Sequence, residues 1–105
     1  MKRLPVIYRP EAVADLEEIF RYILNKSRDH ITAKRFTNRI KARCDKVGDA
    51  PNGGAPRPDL GTDLRLVPFE KSAVILYRTT AKEVEIVNVF YGGRDYEVLM
   101  RDSDT

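Results

Sequence analysis

Apolar residues recur every three or four positions in two stretches of the first half of the chain. The first stretch predicts a helix from about Pro10 to Lys26, because side chains at that spacing share one helix face. The second predicts a helix from about His30 to Gly48, and the short connection makes the two helices an antiparallel hairpin. The apolar positions are Val13, Leu16, Ile19, Phe20, Ile23 and Leu24, then Ala33, Phe36, Ile40, Cys44 and Val47.

Short apolar runs joined by turns fill most of the second half and predict three strands of an antiparallel meander. A further β-rich run lies near the start of the chain, and a short helix is expected near its end. The last strand is apolar on nearly every residue from Ile86 to Tyr91, which predicts burial on both faces and a central place in the sheet. The runs are Leu4–Tyr8, Leu64–Phe69, Ala73–Arg78 and Val84–Tyr91, with the helix at residues 95–101.

The resulting element order is β-α-α-β-β-β, which is typical of the α+β class. We expect the N-terminal helical hairpin to pack on one face of a small antiparallel sheet. The segment from Pro51 to Gly61 is rich in proline and glycine, and it is too short to separate two domains. The whole chain, residues 1–105, is therefore expected to form a single domain.

Charge is distributed unevenly between the two halves of the chain. Residues 1–50 hold twelve Lys and Arg against seven Asp and Glu, whereas residues 51–105 hold seven against nine. The positive excess therefore lies on the predicted hairpin and favours an acidic partner, either nucleic acid or protein. Because a DNA-reading motif is not recognisable, we expect no sequence-specific nucleic-acid binding by the chain alone.

Several classes of protein and site are disfavoured by what the sequence lacks. The single cysteine, Cys44, allows no internal disulfide, which indicates a reducing, cytoplasmic environment. No apolar run approaches the roughly 20 residues of a membrane-spanning helix, so we expect a soluble protein with no membrane partner. No catalytic triad, metal-ligand cluster or phosphate-binding loop is recognisable. We therefore expect no cofactor and no metal.

The element order and several short runs together resemble the ParE/RelE superfamily of toxins from bacterial toxin–antitoxin operons, and within it the ParE branch. Each run is chemically ordinary alone, but their order and spacing cover nearly the whole chain. They are Arg9–Ala12, Ala33–Phe36, Arg57–Gly61, Ile75–Arg78 and Val89–Asp95. The resemblance implies a toxin that a ParD-like antitoxin neutralises by direct binding.

The two branches of this superfamily share a fold and differ in target. ParE-like toxins are associated with inhibition of DNA gyrase, and RelE-like toxins are ribosome-dependent mRNA endonucleases. The RelE-like enzymes carry an arginine on the middle strand of the meander, another after the last strand, and a tyrosine in the C-terminal segment. Here the resemblance retains only Arg94, because the other positions fall on or near Val74 and near Met100. We therefore favour a non-enzymatic toxin with no catalytic residues, and keep the endonuclease and a non-toxic antitoxin binder as alternatives.

Exposure and charge indicate which residues contact a partner. For Arg94 the alternative is an ordinary ion pair with Asp95 or Glu97. For Arg78 the alternatives are a positive patch with Arg94 or, preferred, an ion pair with Glu83 or Glu85. The candidate partner-binding residues are Arg94, Arg78, Tyr91, Tyr96, Lys34, Arg35 and Arg39.

Two residues with reactive side chains have simpler interpretations. His30 is the only histidine, and it lies between the two predicted helices without a nucleophile at a defined spacing. We expect it to be a surface or capping residue. Cys44 lies on the apolar stripe of the second helix and is expected to pack in the core.

Overall fold

Two helices cover one face of a five-stranded sheet in the structure, a computed structural model that describes residues 3–92. The predicted α+β class and the helical hairpin are confirmed. The short helix expected at residues 95–101 lies outside the described residues. Within residues 3–92, no helix is long and apolar enough to cross a membrane. The elements are β1 (Val6–Tyr8), α1 (Pro10–Ser27), α2 (His30–Val47), β2 (Ala55–Pro56), β3 (Leu64–Phe69), β4 (Ala73–Thr79) and β5 (Val84–Tyr91).

The strands lie in the order β1-β5-β4-β3-β2. β1 pairs with β5 in parallel, with Val6 opposite Val84, and the other strand pairs are antiparallel. The sheet is therefore mixed, which corrects the expectation of an antiparallel sheet. β5 lies inside the sheet, but β4 takes the central position, because β1 and β2 each add one strand to the meander.

Local signals in the sequence explain where the helices begin and end. Pro10 opens α1, where a proline removes no helical hydrogen bond. The α1 helix ends at Ser27, and Arg28 adopts a left-handed conformation while its N–H donates to the Leu24 carbonyl. Asp29 then caps α2, since its Oδ1 accepts a hydrogen bond from the Ile31 N–H at 3.1 Å.

The main core lies between the helical hairpin and the sheet. Its buried side chains alternate along each strand with those of the opposite face, as the pleat of a sheet requires. A smaller cluster occupies that opposite face, where Leu60, from the loop before β3, packs on Leu64, Leu76 and Phe90. The main core includes Ala12, Leu16, Ile19, Ile40, Cys44, Val47, Val67, Phe69, Ala73, Ile75, Tyr77, Val84, Ile86 and Val89.

The hydroxyl of Tyr77 attaches the loop after α2 to the sheet. The Tyr77 side chain is fully buried, and its hydroxyl donates to the Pro51 carbonyl and accepts from the Gly54 N–H, both at 2.8 Å. A Cβ at Gly54 would lie 2.5 Å from the same hydroxyl, so only glycine allows this approach. The buried Tyr77 hydroxyl therefore fixes the loop after α2 to β4, the central strand of the sheet.

Candidate protein-binding surface

The Asp15 carboxylate holds helix α1 against strand β5. Its Oδ2 accepts hydrogen bonds from the Val89 N–H at 2.9 Å and from the Asn88 Nδ2 at 3.0 Å. The pairing of β5 with β4 skips Val87, which marks a bulge immediately before this contact. β1 pairs with β5 only from Val84 to Ile86. In the described part of the chain, helix α1 rather than a strand lies beside the remainder of that side of β5.

A cleft of about 190 Å³ lies between α1 and the end of β5. Its walls combine aromatic rings with two carboxylates, and no lysine or arginine is found among the described residues that line it. Partly exposed aromatic side chains next to backbone groups are typical of surfaces that bind other proteins. The lining residues are Asp15, Glu18, Ile19, Tyr22, Val89, Tyr91 and Gly92.

The Tyr91 ring, a predicted contact residue, belongs to a row of four aromatic rings that begins in the cleft. It meets Tyr22 edge to face at a centroid distance of 5.6 Å and Phe36 at 5.3 Å. Phe36 in turn meets Phe69 at 5.8 Å. Edge-to-face packing fixes ring orientation. Tyr22 and Tyr91 therefore give the cleft an aromatic wall, and Tyr22 remains 48% exposed.

The predicted basic residues of α2 divide into two kinds. Lys34 and Arg35 are exposed on the helix surface. Arg39 instead forms a two-pronged ion pair with Glu70 in the β3–β4 turn, with Nε–Oε2 at 2.9 Å and Nη2–Oε1 at 3.1 Å. Its guanidinium also lies 5.2 Å from the centroid of the Phe36 ring, so Arg39 connects the basic face to the aromatic row.

Arg78 lies far from the cleft. It is opposite Glu85 near the start of β5, whereas Tyr91, at the other end of the strand, is opposite Ala73. Its Nη1 is 3.5 Å from a Glu85 carboxylate oxygen that Arg9 also approaches at 3.3 Å. The preferred interpretation of Arg78 as an ion-pair partner of Glu85 is confirmed.

Two of the predicted contact residues, Arg94 and Tyr96, lie outside the described residues, as does Met100. Val74 is described, and it is half-buried on β4 opposite Phe90. Since Ala73 and Ile75 face the helices, Val74 lies on the other face of the sheet. Val74, on or near which the resemblance places the middle-strand arginine of the RelE-like enzymes, therefore offers an apolar side chain on that face.

The surroundings of the two other reactive side chains, His30 and Cys44, are those of a surface residue and a core residue. His30 is exposed at the start of α2, with its ring edge against Phe20 at 5.7 Å. Cys44 is fully buried, as expected, and burial raises the pKa of its thiol to about 11. Burial is also the main cause that raises the pKa of the neighbouring Tyr8 phenol. Among the described residues, no group of three or more His, Cys, Asp or Glu side chains could hold a metal ion.

Neither the cleft nor the contact of Asp15 with β5 was predicted from the sequence. The spacing along α1 did indicate that three of the residues at the cleft lie together. Asp15, Ile19 and Tyr22 recur at four- and three-residue spacing and therefore share one side of the helix. That side lies next to the main apolar stripe. The position of β5 beside this side of α1 could not be inferred, since the contact between Asp15 and Val89 joins residues more than seventy positions apart.

Comparisons with known proteins show the family through one sequence match and a similar fold through one solved structure. The sequence matches the family described as "ParE toxin of type II toxin-antitoxin system, parDE" over residues 6–96. None of the curated proteins matches the chain. The fold is similar to a solved structure described as the chromosomal ParDE TA system from P. aeruginosa, with a TM-score of 0.74 and 20% sequence identity. That alignment covers 86% of this chain and 97% of the other.

Replacing Asp15 by alanine is expected to loosen the end of β5. The Val89 N–H would lose its acceptor, so the free energy of unfolding should fall by about 1–3 kcal/mol. Hydrogen exchange of the Val89 amide should become faster than in the wild type. Glu17→Ala, an exposed change on the same helix, is the control and should change stability by no more than about 0.5 kcal/mol. Unchanged exchange at Val89 in Asp15→Ala would contradict this assignment.

Proposed function

The chain belongs to the ParE toxin family of type II toxin–antitoxin systems, and from this premise we propose that it arrests growth by binding DNA gyrase. In this proposal the toxin acts in the cytoplasm by binding, without catalysing a reaction. A cognate ParD-like antitoxin neutralises it by direct contact. Through this pairing the operon would stabilise the plasmid or chromosomal region that carries it.

The observation that carries the non-enzymatic proposal is the side chain of Val74. An endonuclease of the RelE type must stabilise charge on a phosphate and move protons, and this calls for clustered arginines with an acid or base. Val74 offers neither a charge nor a proton, and it is half-buried in the sheet. A valine at this position favours a toxin that works by binding.

The chemistry of the cleft also favours a protein partner over RNA. Asp15 and Glu18 place two carboxylates in it, and these would repel a phosphate backbone. Tyr22 and Tyr91 supply aromatic surface of the kind that dominates binding energy at protein interfaces. The cleft is therefore better suited to a polypeptide than to an mRNA strand.

The antitoxin is proposed to wrap the toxin with a helix and an extended segment. The extended segment would lie in the cleft at the end of β5, past the Val89 N–H that Asp15 already binds. Strand addition at a sheet edge uses backbone hydrogen bonds for affinity and side-chain pockets for specificity. Apolar side chains of that segment would pack against the rings of Tyr22 and Tyr91.

A supercoiling assay with purified gyrase tests the proposed target. We expect the toxin to inhibit supercoiling of relaxed plasmid, and we expect the cognate antitoxin to restore it at stoichiometric amounts. A translation-coupled mRNA cleavage assay run beside it should show no toxin-dependent cleavage. Codon-linked cleavage that is lost in Arg94→Ala, with gyrase unaffected, would contradict the proposal and establish the RelE-type alternative.

Neutralising the basic face of α2 should weaken binding of an acidic antitoxin. The variant Lys34→Gln with Arg35→Gln is expected to lower affinity by about three- to tenfold at low salt, because two exposed attractive charges are removed. The dependence of affinity on salt should become shallower. Arg21→Gln with Lys82→Gln makes the same change in net charge on other exposed positions and serves as the control. Equal affinity and salt dependence in both variants and the wild type would refute a contribution from α2.

A further inference from the structure

The ion pair between Arg39 and Glu70 shows how a carboxylate binds to the basic side of α2. Both guanidinium contacts, at 2.9 Å and 3.1 Å, go to the two oxygens of one carboxylate. This parallel geometry is the arrangement in which arginine recognises carboxylates most selectively. Both side chains remain about half exposed, at 51% and 44%, so solvent and a competing partner can reach the pair.

Arg39 lies within a row of cations along one flank of α2. Arg35, Arg39, Arg43 and Lys46 follow one another at four-, four- and three-residue spacing, at which the Cβ atoms of successive residues lie about 5–6 Å apart. Asp45 is the only acidic residue within α2 and lies outside this row. The row therefore presents a positive flank, and Glu70 places its carboxylate against this flank at Arg39.

Glu70 reaches this position from a strained turn. Glu70 and Lys71 both have positive φ, at 46° and 58°, although neither is glycine. Left-handed conformations at two consecutive ordinary residues cost free energy, and they persist when neighbouring contacts hold them. The Arg39 pair is one such contact, and the Ser72 N–H to Phe69 carbonyl hydrogen bond at 3.0 Å is another.

We propose that Glu70 is an internal substitute for a carboxylate of an acidic partner segment, which displaces it from Arg39 when the partner binds. The inference rests on the proposed function, in that the segment is taken to belong to the antitoxin. A competing carboxylate can reach Arg39 because both side chains of the pair are about half exposed, where water weakens the attraction between the charges. The neighbouring carboxylates of Asp15 and Glu18 in the cleft disfavour a nucleic-acid strand crossing the same surface.

The proposal predicts that removing the internal carboxylate strengthens binding. The probe is a short, fluorescently labelled Glu-rich peptide, measured by anisotropy at low salt. Glu70→Gln should bind it about three- to fivefold more tightly than the wild type, since Arg39 becomes available without displacement. Glu83→Gln removes one negative charge on the remote β4–β5 turn and is the matched control. It should improve binding by less than Glu70→Gln.

A double-mutant comparison separates Arg39 from net charge. In an Arg39→Gln background, Glu70→Gln should no longer improve binding beyond the effect of Glu83→Gln. Persistence of the gain in that background, or no gain in Glu70→Gln itself, would overturn the proposal. Tighter binding of an oligothymidine of matched charge than of the peptide would overturn the choice of an acidic protein partner. Circular dichroism and thermal melting of each variant confirm that the fold is kept.

The same variants distinguish this inference from the proposed function. If the antitoxin neutralises the toxin but Glu70→Gln leaves peptide binding unchanged, only the proposed replacement of the Glu70 carboxylate at Arg39 is wrong. If Glu70→Gln strengthens binding through Arg39 but no antitoxin neutralises the toxin, the carboxylate site stands and the proposed function fails.

Discussion

The candidate protein-binding surface depends on one polar contact, the hydrogen bond from the Val89 N–H of β5 to the Asp15 carboxylate. Parallel pairing with β1 ends at Ile86, and beyond that point the edge of β5 would otherwise have no described neighbour. By accepting the Val89 N–H, Asp15 satisfies a backbone donor and places helix α1 beside the strand. The distance between α1 and β5, and therefore the cleft, follows from this contact.

The two sides of this surface carry charges of opposite sign. The cleft carries Asp15 and Glu18, whereas the adjoining flank of α2 carries a row of arginines and a lysine. The aromatic row from Tyr22 to Phe69 runs between them and is shared by both. A polypeptide can match such a surface, because one segment can present apolar and acidic side chains while its backbone follows a strand edge. A uniformly charged phosphate chain cannot.

The sequence predicted the elements well and their long-range contacts poorly. Helix bounds followed from the 3.6-residue period and strand bounds from short apolar runs between turns, which are local properties of each segment, but the two-residue strand β2 was not predicted. The parallel pairing of β1 with β5 and the contact of Asp15 with Val89 join distant positions, for which periodicity carries no information. Arg39 was correctly recognised as a basic surface residue, but its pairing with Glu70 depends on a turn whose residues adopt left-handed conformations without glycine. A contact with a partner stays a prediction for Tyr91, and its packing against the Tyr22 and Phe36 rings was not predicted from the sequence.

The central claim is that an antitoxin occupies the cleft between α1 and β5. Amide hydrogen exchange of the toxin, measured alone and with its cognate antitoxin, tests it most directly. We expect slower exchange from Val87 to Tyr91, since a partner in the cleft would cover that end of the strand and restrict its local opening. Protection confined to the β2–β3 edge, with Val87 to Tyr91 unchanged, would contradict it.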